Sequence, residues 1–129
     1  MDGKRIRLFG LDAPERRQEC HRDGRAWACG EEAHQALTRL LAAAQPDCRE
    51  VDRDRYGRSV AICLINNIDM GGELVRAGLA IAYVRYSRRY VEIEAEARAA
   101  RRGVWAGSFV APWDWRAGRR LAPNLAPNQ

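Results

Sequence analysis

Two short runs bring together residue types that can act on a phosphate ester. The first, Arg7-Leu8-Phe9-Gly10-Leu11-Asp12-Ala13-Pro14-Glu15, ends an apolar segment on a glycine and then offers two carboxylates, Asp12 and Glu15, beside the guanidinium of Arg7. The second, Asp54-Arg55-Tyr56-Gly57-Arg58, places another arginine just after a glycine turn. Phosphodiester cleavage asks for hard oxygen ligands for a divalent cation and a carboxylate that orients or deprotonates water. It also asks for guanidinium groups that grip the phosphate and its growing negative charge. Either run alone is a weak signal, since lone arginines on strands are usually solvated and an isolated Asp12 reads as a turn former. Their coincidence in one small chain carries the argument.

Those side chains need a scaffold, and 129 residues with 47% apolar composition suffice for one domain with a core. Residues 4–11 read as a strand that bends at Gly10, 12–15 as a turn, and the polar stretch 16–29 as an irregular structured loop. Ala33, Leu37, Leu40, Leu41 and Ala44 recur at helical steps, which predicts an amphipathic helix over 31–44 ended by Pro46. Residues 47–52 and 58–65 form a hairpin, 70–77 a short helix stopped by Gly78, and 79–83 a short apolar strand. A second long helix over 88–102 carries Tyr90, Ile93, Ala97 and Ala100 on one stripe and stops at Gly103. The aromatic segment from Val104 to Trp115 is expected to dock on the domain, and residues 116–129 to fray.

Charge and cysteines narrow the setting. Lys plus Arg total 22 against 17 for Asp plus Glu, a net charge of +5, and Lys4 is the single lysine. Guanidinium matches phosphate in a bidentate fork, so the excess favours a phosphate-bearing partner, although a GC-rich genome also raises Arg over Lys. No run approaches the ~18 apolar residues of a membrane span, and the N-terminus carries no apolar signal-like stretch. Cys20, Cys29, Cys48 and Cys63 make an even set that reads as two disulfides in an oxidising compartment. Cys48 and Cys63 lie symmetrically about the 54–57 turn and would pair across the hairpin, leaving Cys20 for Cys29. A zinc site from Cys20, His21, Cys29 and His34 is the rival, but its spacing matches no compact Cys-x2-Cys knuckle.

Together the two runs resemble the staphylococcal nuclease (thermonuclease-like) family, whose pattern is Arg-Leu-x-Gly-x-Asp-x-Pro-Glu followed by Asp-x-Tyr-Gly-Arg. The likeness continues through Glu73-Leu74-Val75-Arg76-Ala77-Gly78-Leu79-Ala80, Tyr83 and Arg101-Arg102-Gly103-Val104-Trp105. It covers roughly residues 4–106, so 1–106 is read as the family-like domain and 107–129 as a C-terminal extension. The resemblance implies an α+β fold, a small OB-type β-barrel with three α-helices, and calcium-dependent hydrolysis of DNA and RNA. It makes Arg7 and Arg58 the grip on the scissile phosphate, and Asp12 a Ca2+ ligand together with the backbone carbonyl of Ala13. Glu15 becomes the residue that orients or activates water, and Tyr56 and Tyr83 the lining of the nucleotide pocket. On its own residue type Tyr83 reads first as a core aromatic with a wet hydroxyl.

Members of the family also carry an Asp-Gly-Asp-Thr run on the strand before this arginine, and its second Asp is a further metal ligand. Asp2 is too far away to serve, since the extended chain puts it roughly 17 Å from Arg7. The expectation is an exported domain whose upstream barrel strand and leader lie outside this sequence, with activity impaired without them. A degenerate family member is the other explanation. The different class of function is a non-catalytic OB-type module that binds nucleic acid or protein. The cysteines point to a secreted or periplasmic protein, and a cytoplasmic one is the alternative.

Overall fold

The computed structural model describes residues 6–122. The first two positions of the strand expected over 4–11, and the far end of the tail expected to fray, lie outside the described residues. In chain order the first half contains β1 (Ile6–Leu8), β2 (Leu11–Asp12), β3 (Cys20–Arg22), β4 (Arg25–Trp27), α1 (Cys29–Ala43) and β5 (Asp47–Arg53). The second half contains β6 (Ser59–Ile65), β7 (Ile68–Asp69), α2 (Met70–Arg76), β8 (Ile81–Ala82), α3 (Val91–Ala99), a 3-10 turn (Gly103–Ala106) and α4 (Pro112–Arg116).

β6 is the central strand of the main sheet, joined to β5 by a hairpin and paired on its other side with β1 and β7. Its turn is tied by Asp54, whose Oδ1 accepts the backbone N–H of Tyr56 and of Arg58, both at 2.9 Å. That turn sets Cys48 opposite Cys63, and the two form a disulfide. β1 runs parallel to β6 with Arg7 beside Val60, and β7 continues the same edge antiparallel at Leu64 and Ile65. Ala61, Cys63 and Ile65 are the buried face of β6, covered by Leu37, Leu40 and Leu41 of α1. Small side chains at Ala61 and Cys63 let the helix come close, while Val60, Ile62 and Leu64 are half-buried on the opposite face.

A second cluster joins Leu11, Leu74, Val75, Ala80, Ala82 and Tyr90, and so fastens β2 and β8 to α2 and to the start of α3. α2 begins at Asp69, whose side chain accepts the N–H groups of Gly71 and Gly72 and thereby satisfies two orphan donors of the helix. The Tyr90 hydroxyl donates to the same carboxylate.

Four departures from the expected architecture have physical reasons. The stretch expected as an irregular loop contains the hairpin of β3 and β4, turned by Asp23-Gly24 with φ of 54° and 75°, the backbone that two-residue hairpins require. Helices number four among the described residues rather than three. The extra one, α4, starts on a proline at its first position and carries Asp114 in its first turn, both favourable at a helix N-terminus. It follows that Arg116, expected in a fraying tail, ends a helix. The described strands form one four-stranded sheet and two two-stranded pairs, and they do not close a barrel. No helix among the described residues is long and apolar enough to cross a membrane.

The cysteines pair as Cys20 with Cys29 and Cys48 with Cys63, which leaves no thiolate for the rival zinc site.

Candidate active site

The bend that separates Arg7 from Asp12 is made by Gly10, at φ +82°, whose carbonyl accepts the Tyr83 N–H at 2.9 Å. Beyond it Leu11 and Asp12 pair with Ala82 and Ile81, so Asp12 stands in a ladder next to Tyr83 and is only 7% exposed. The ladder fixes the strand from which Arg7 and Asp12 approach one another. Their nearest atoms, Arg7 Nη2 and Asp12 Oδ2, are 4.0 Å apart.

Glu15 sits on a loop with no regular structure, yet the loop is held from two sides. The Gln18 N–H donates to the Glu15 carbonyl at 2.8 Å, and the Gln18 Oε1 accepts the Glu15 N–H at 3.2 Å. From the other side α1 presses its second residue against the loop. A Cβ on Gly30 would come within 1.7 Å of the Glu15 carbonyl oxygen, so only a glycine allows this approach. Gln18 is itself buried, and its Nε2 donates to the Val110 carbonyl at 2.7 Å. One side chain therefore ties the Glu15 loop to the segment that leads into α4.

Arg58 leaves the hairpin turn with its Nε 2.7 Å from Asp54 Oδ2 and its guanidinium 5.8 Å from the centre of the Tyr56 ring. Burial pushes the Asp54 carboxyl up, but the backbone and side-chain hydrogen bonds from Arg58 and the N–H of Tyr56 outweigh it and hold the group below its ordinary value. Asp54 is thus kept as an anion that aims Arg58. Arg7, Arg58, Tyr56 and Tyr83 all line one cleft of about 760 Å³, with Arg85 and Tyr86 on its wall. Tyr56 is 68% exposed. Tyr83 is half-buried: it stacks on Trp113 of α4 with centroids 4.6 Å apart, meets Tyr86 edge-on at 4.8 Å, and faces Arg7 at 5.9 Å. Ala13 follows Asp12 and packs its methyl group against the cluster around Leu11.

The carboxylates have a partner that sequence reasoning missed. Arg116, at the end of α4, places Nη2 2.5 Å from Asp12 Oδ2 and Nη1 3.2 Å from Asp12 Oδ1, while Nη1 also reaches Glu15 Oε2 at 2.8 Å. Hydrogen bonds that Arg116 donates to Asp12 and then to Glu15 outweigh its partial burial and push the Arg116 pKa up, so the group is always charged. Arg116 lines the cleft, whereas Asp12 and Glu15 are not among its lining residues.

Three carboxylate oxygens thus converge on one positive charge, and hard oxygens are the donors that calcium takes. In donor chemistry Asp12 and Glu15 fit the anionic part of such a shell. Among the described residues no cluster of three or more His, Cys, Asp or Glu gathers around a metal position. Gln18, Gly30 and Trp113 were missed along with Arg116. Pro112 was a readable helix start, but nothing local marks the partners these residues find far away in the chain.

The family of staphylococcal nuclease homologues matches residues 5–107 of the chain. A probable staphylococcal-like nuclease of Oryza sativa subsp. japonica, CAN2, is 35% identical over 121 residues, which is 92% of this chain and 30% of that protein. The staphylococcal-like nuclease CAN1 of Arabidopsis thaliana is 34% identical over 119 residues, 90% of this chain and 34% of that protein. An uncharacterized endonuclease of Escherichia coli O157:H7 is 33% identical over 116 residues, 87% of this chain and 70% of that protein. The chain spans about a third of the length of the plant relatives it matches.

Proposed function

Because the chain belongs to the staphylococcal nuclease family, we propose that it is a metal-dependent nuclease that hydrolyses phosphodiester bonds of DNA and RNA, with calcium as its cation. The observation that carries the reading is the meeting of two arginines, Arg7 on β1 and Arg58 just before β6, at one cleft that Arg116 also lines while it joins the carboxylates Asp12 and Glu15. In this reading Asp12 and the Ala13 carbonyl would hold the calcium ion. When bound, the ion supplies positive charge that polarises the phosphate.

The chain's own residues do the rest. Arg7 and Arg58 hold two phosphate oxygens and neutralise the charge that builds on them as the phosphorus becomes five-coordinate. Glu15 orients the attacking water and takes its proton as the new phosphorus–oxygen bond forms and the bond to the leaving ester oxygen breaks. Tyr56 offers an open ring face to a nucleotide, and Tyr83 stiffens the wall through its stack on Trp113. An OB-type barrel, with β1, β5 and β6 as part of its wall, is the frame that goes with this function. Residues 1–106 form its catalytic domain and 107–129 an extension, whose helix α4 folds back on that domain. The two disulfides support a compartment outside the reducing cytoplasm, periplasmic or extracellular.

One observation favours a second reading, a non-catalytic module that binds nucleic acid: Arg116 is ion-paired with both carboxylates. Hydrolysis of plasmid DNA and of RNA with added calcium separates the two. The expected result is calcium-dependent cleavage that Glu15→Gln lowers by about 10²-fold or more. Retained nucleic-acid binding without cleavage decides for the module.

A further inference from the structure

Arg116 is the feature that the proposed reaction does not use. Its guanidinium spans both carboxylates, so it sits on the oxygen atoms that a divalent cation would need, and it also lines the cleft. Resting on the metal-dependent reading above, we propose that Arg116 is a built-in cation that holds Asp12 and Glu15 together until a divalent cation displaces it. The metal affinity of the site is then set by competition with a side chain of the C-terminal helix.

Three observations bear on this. The helix itself is anchored: Pro112 is buried, Trp113 stacks on Tyr83, and Gln18 holds the Val110 carbonyl. Displacement therefore asks for a rotamer change at the last residue of α4 rather than for movement of the segment. The side chain has room for it, being 37% exposed where its partner Asp12 is 8% exposed. Release also cannot come from deprotonation, because a guanidinium keeps its charge at any pH the fold survives. A competing positive charge is what remains. While the pairing lasts, Glu15 Oε2 is occupied by the guanidinium rather than open to a water, so loading the metal and freeing that carboxylate oxygen are one event. Once displaced, the guanidinium lies on the cleft side, where Arg7 and Arg58 already gather positive charge for a phosphate.

The test is isothermal titration of calcium chloride into the full chain and into Arg116→Gln, Arg116→Lys and Arg119→Gln. Arg116→Gln should bind calcium about 10-fold to 100-fold more tightly than the parent, the range expected for losing charge-assisted hydrogen bonds that compete with the ligand. Arg119→Gln removes an equal charge three residues further along the chain, from a side chain 72% exposed and 3.9 Å from Asp114, and should leave the affinity within about twofold. A lysine cannot bridge two carboxylates in a fork, so Arg116→Lys should fall between the parent and Arg116→Gln, and it carries the test if the glutamine variant does not fold. Equal or weaker calcium binding by the Arg116 variants overturns the inference and leaves the nuclease reading standing. Calcium binding by none of the four proteins overturns the inference and removes calcium from the nuclease reading as well.

Discussion

Gln18→Leu tests whether one buried amide joins the two halves of the site. Gln18 is 1% exposed, and its side chain donates to the Val110 carbonyl at 2.7 Å and accepts the Glu15 N–H at 3.2 Å. Leucine roughly conserves the volume, so the change deletes two hydrogen bonds without opening a large cavity. It strands a fully buried carbonyl at Val110, which costs about 1–3 kcal/mol, and a partly buried N–H at Glu15, which costs nearer 1 kcal/mol. Burying an aliphatic side chain in place of an amide returns about 1 kcal/mol. The expected net loss is about 1–3 kcal/mol, read from urea unfolding at neutral pH with the disulfides intact and an unchanged m-value. For a domain of this size each kcal/mol corresponds to roughly 4 °C in Tm, so thermal scans should move down by about 4–12 °C. Gln18→Glu should be nearly as damaging, because an ionised carboxylate still accepts from Glu15 but has no hydrogen to give Val110. A loss below about 0.5 kcal/mol in both variants, the level of an ordinary surface change, would refute the idea that Gln18 braces the site.

Three further outcomes follow from the same geometry. Steady-state cleavage by Arg58→Ala should show kcat strongly reduced with KM for DNA within a few-fold, whereas Arg119→Ala should alter only salt-dependent affinity; identical behaviour of the two would remove Arg58 from the site. Asp54 should titrate below an ordinary aspartate by carboxyl-carbon NMR, and Arg58→Ala should bring it back up. With its folded pKa lowered, Asp54 contributes stability above its unfolded pKa and loses that contribution as pH falls through the folded one. Non-reducing peptide mapping should link Cys20 with Cys29 and Cys48 with Cys63, and reducing the Cys48–Cys63 bond should cost about 3 kcal/mol of unfolding free energy. Stability unchanged by reduction would count against it.

What could be read in the sequence was local. The turn chemistry of Asp54 and Gly57 announced the hairpin, its symmetry announced the Cys48–Cys63 pair, and the apolar period announced α1. α3 runs only over Val91–Ala99, shorter than its pattern, because Tyr90 leaves the helix to serve as its N-cap and Arg101 turns to positive φ. The hairpin of β3 and β4 had a readable signal in Asp23-Gly24, obscured by the short polar strands on either side. The convergence of Arg7, Asp12, Glu15 and Arg58 rested on the spacing within two motifs, each close in sequence to its own turn. Arg116 had no such mark. An arginine at the end of a short helix is ordinary, and its partners lie 104 and 101 residues away. The same holds for Gln18, whose bond to Val110 spans 92 residues and whose neighbours in sequence say only that it is in a loop.

Those long spans have a bearing on how the protein is made. Chain emerging from a ribosome or a secretion pore, N-terminus first, can complete the hairpin of β5 and β6 and pack α1 and α2 on it early, since those contacts are near neighbours. The Glu15 loop can take none of its ties to the C-terminal segment until residues 110–116 have been delivered. Contacts of high sequence separation are also the slow ones to close once the chain is free. The face that carries the candidate site is consequently the last part of the domain to acquire its geometry, and a partly made chain carries Asp12 and Glu15 without the Arg116 guanidinium that pairs with them.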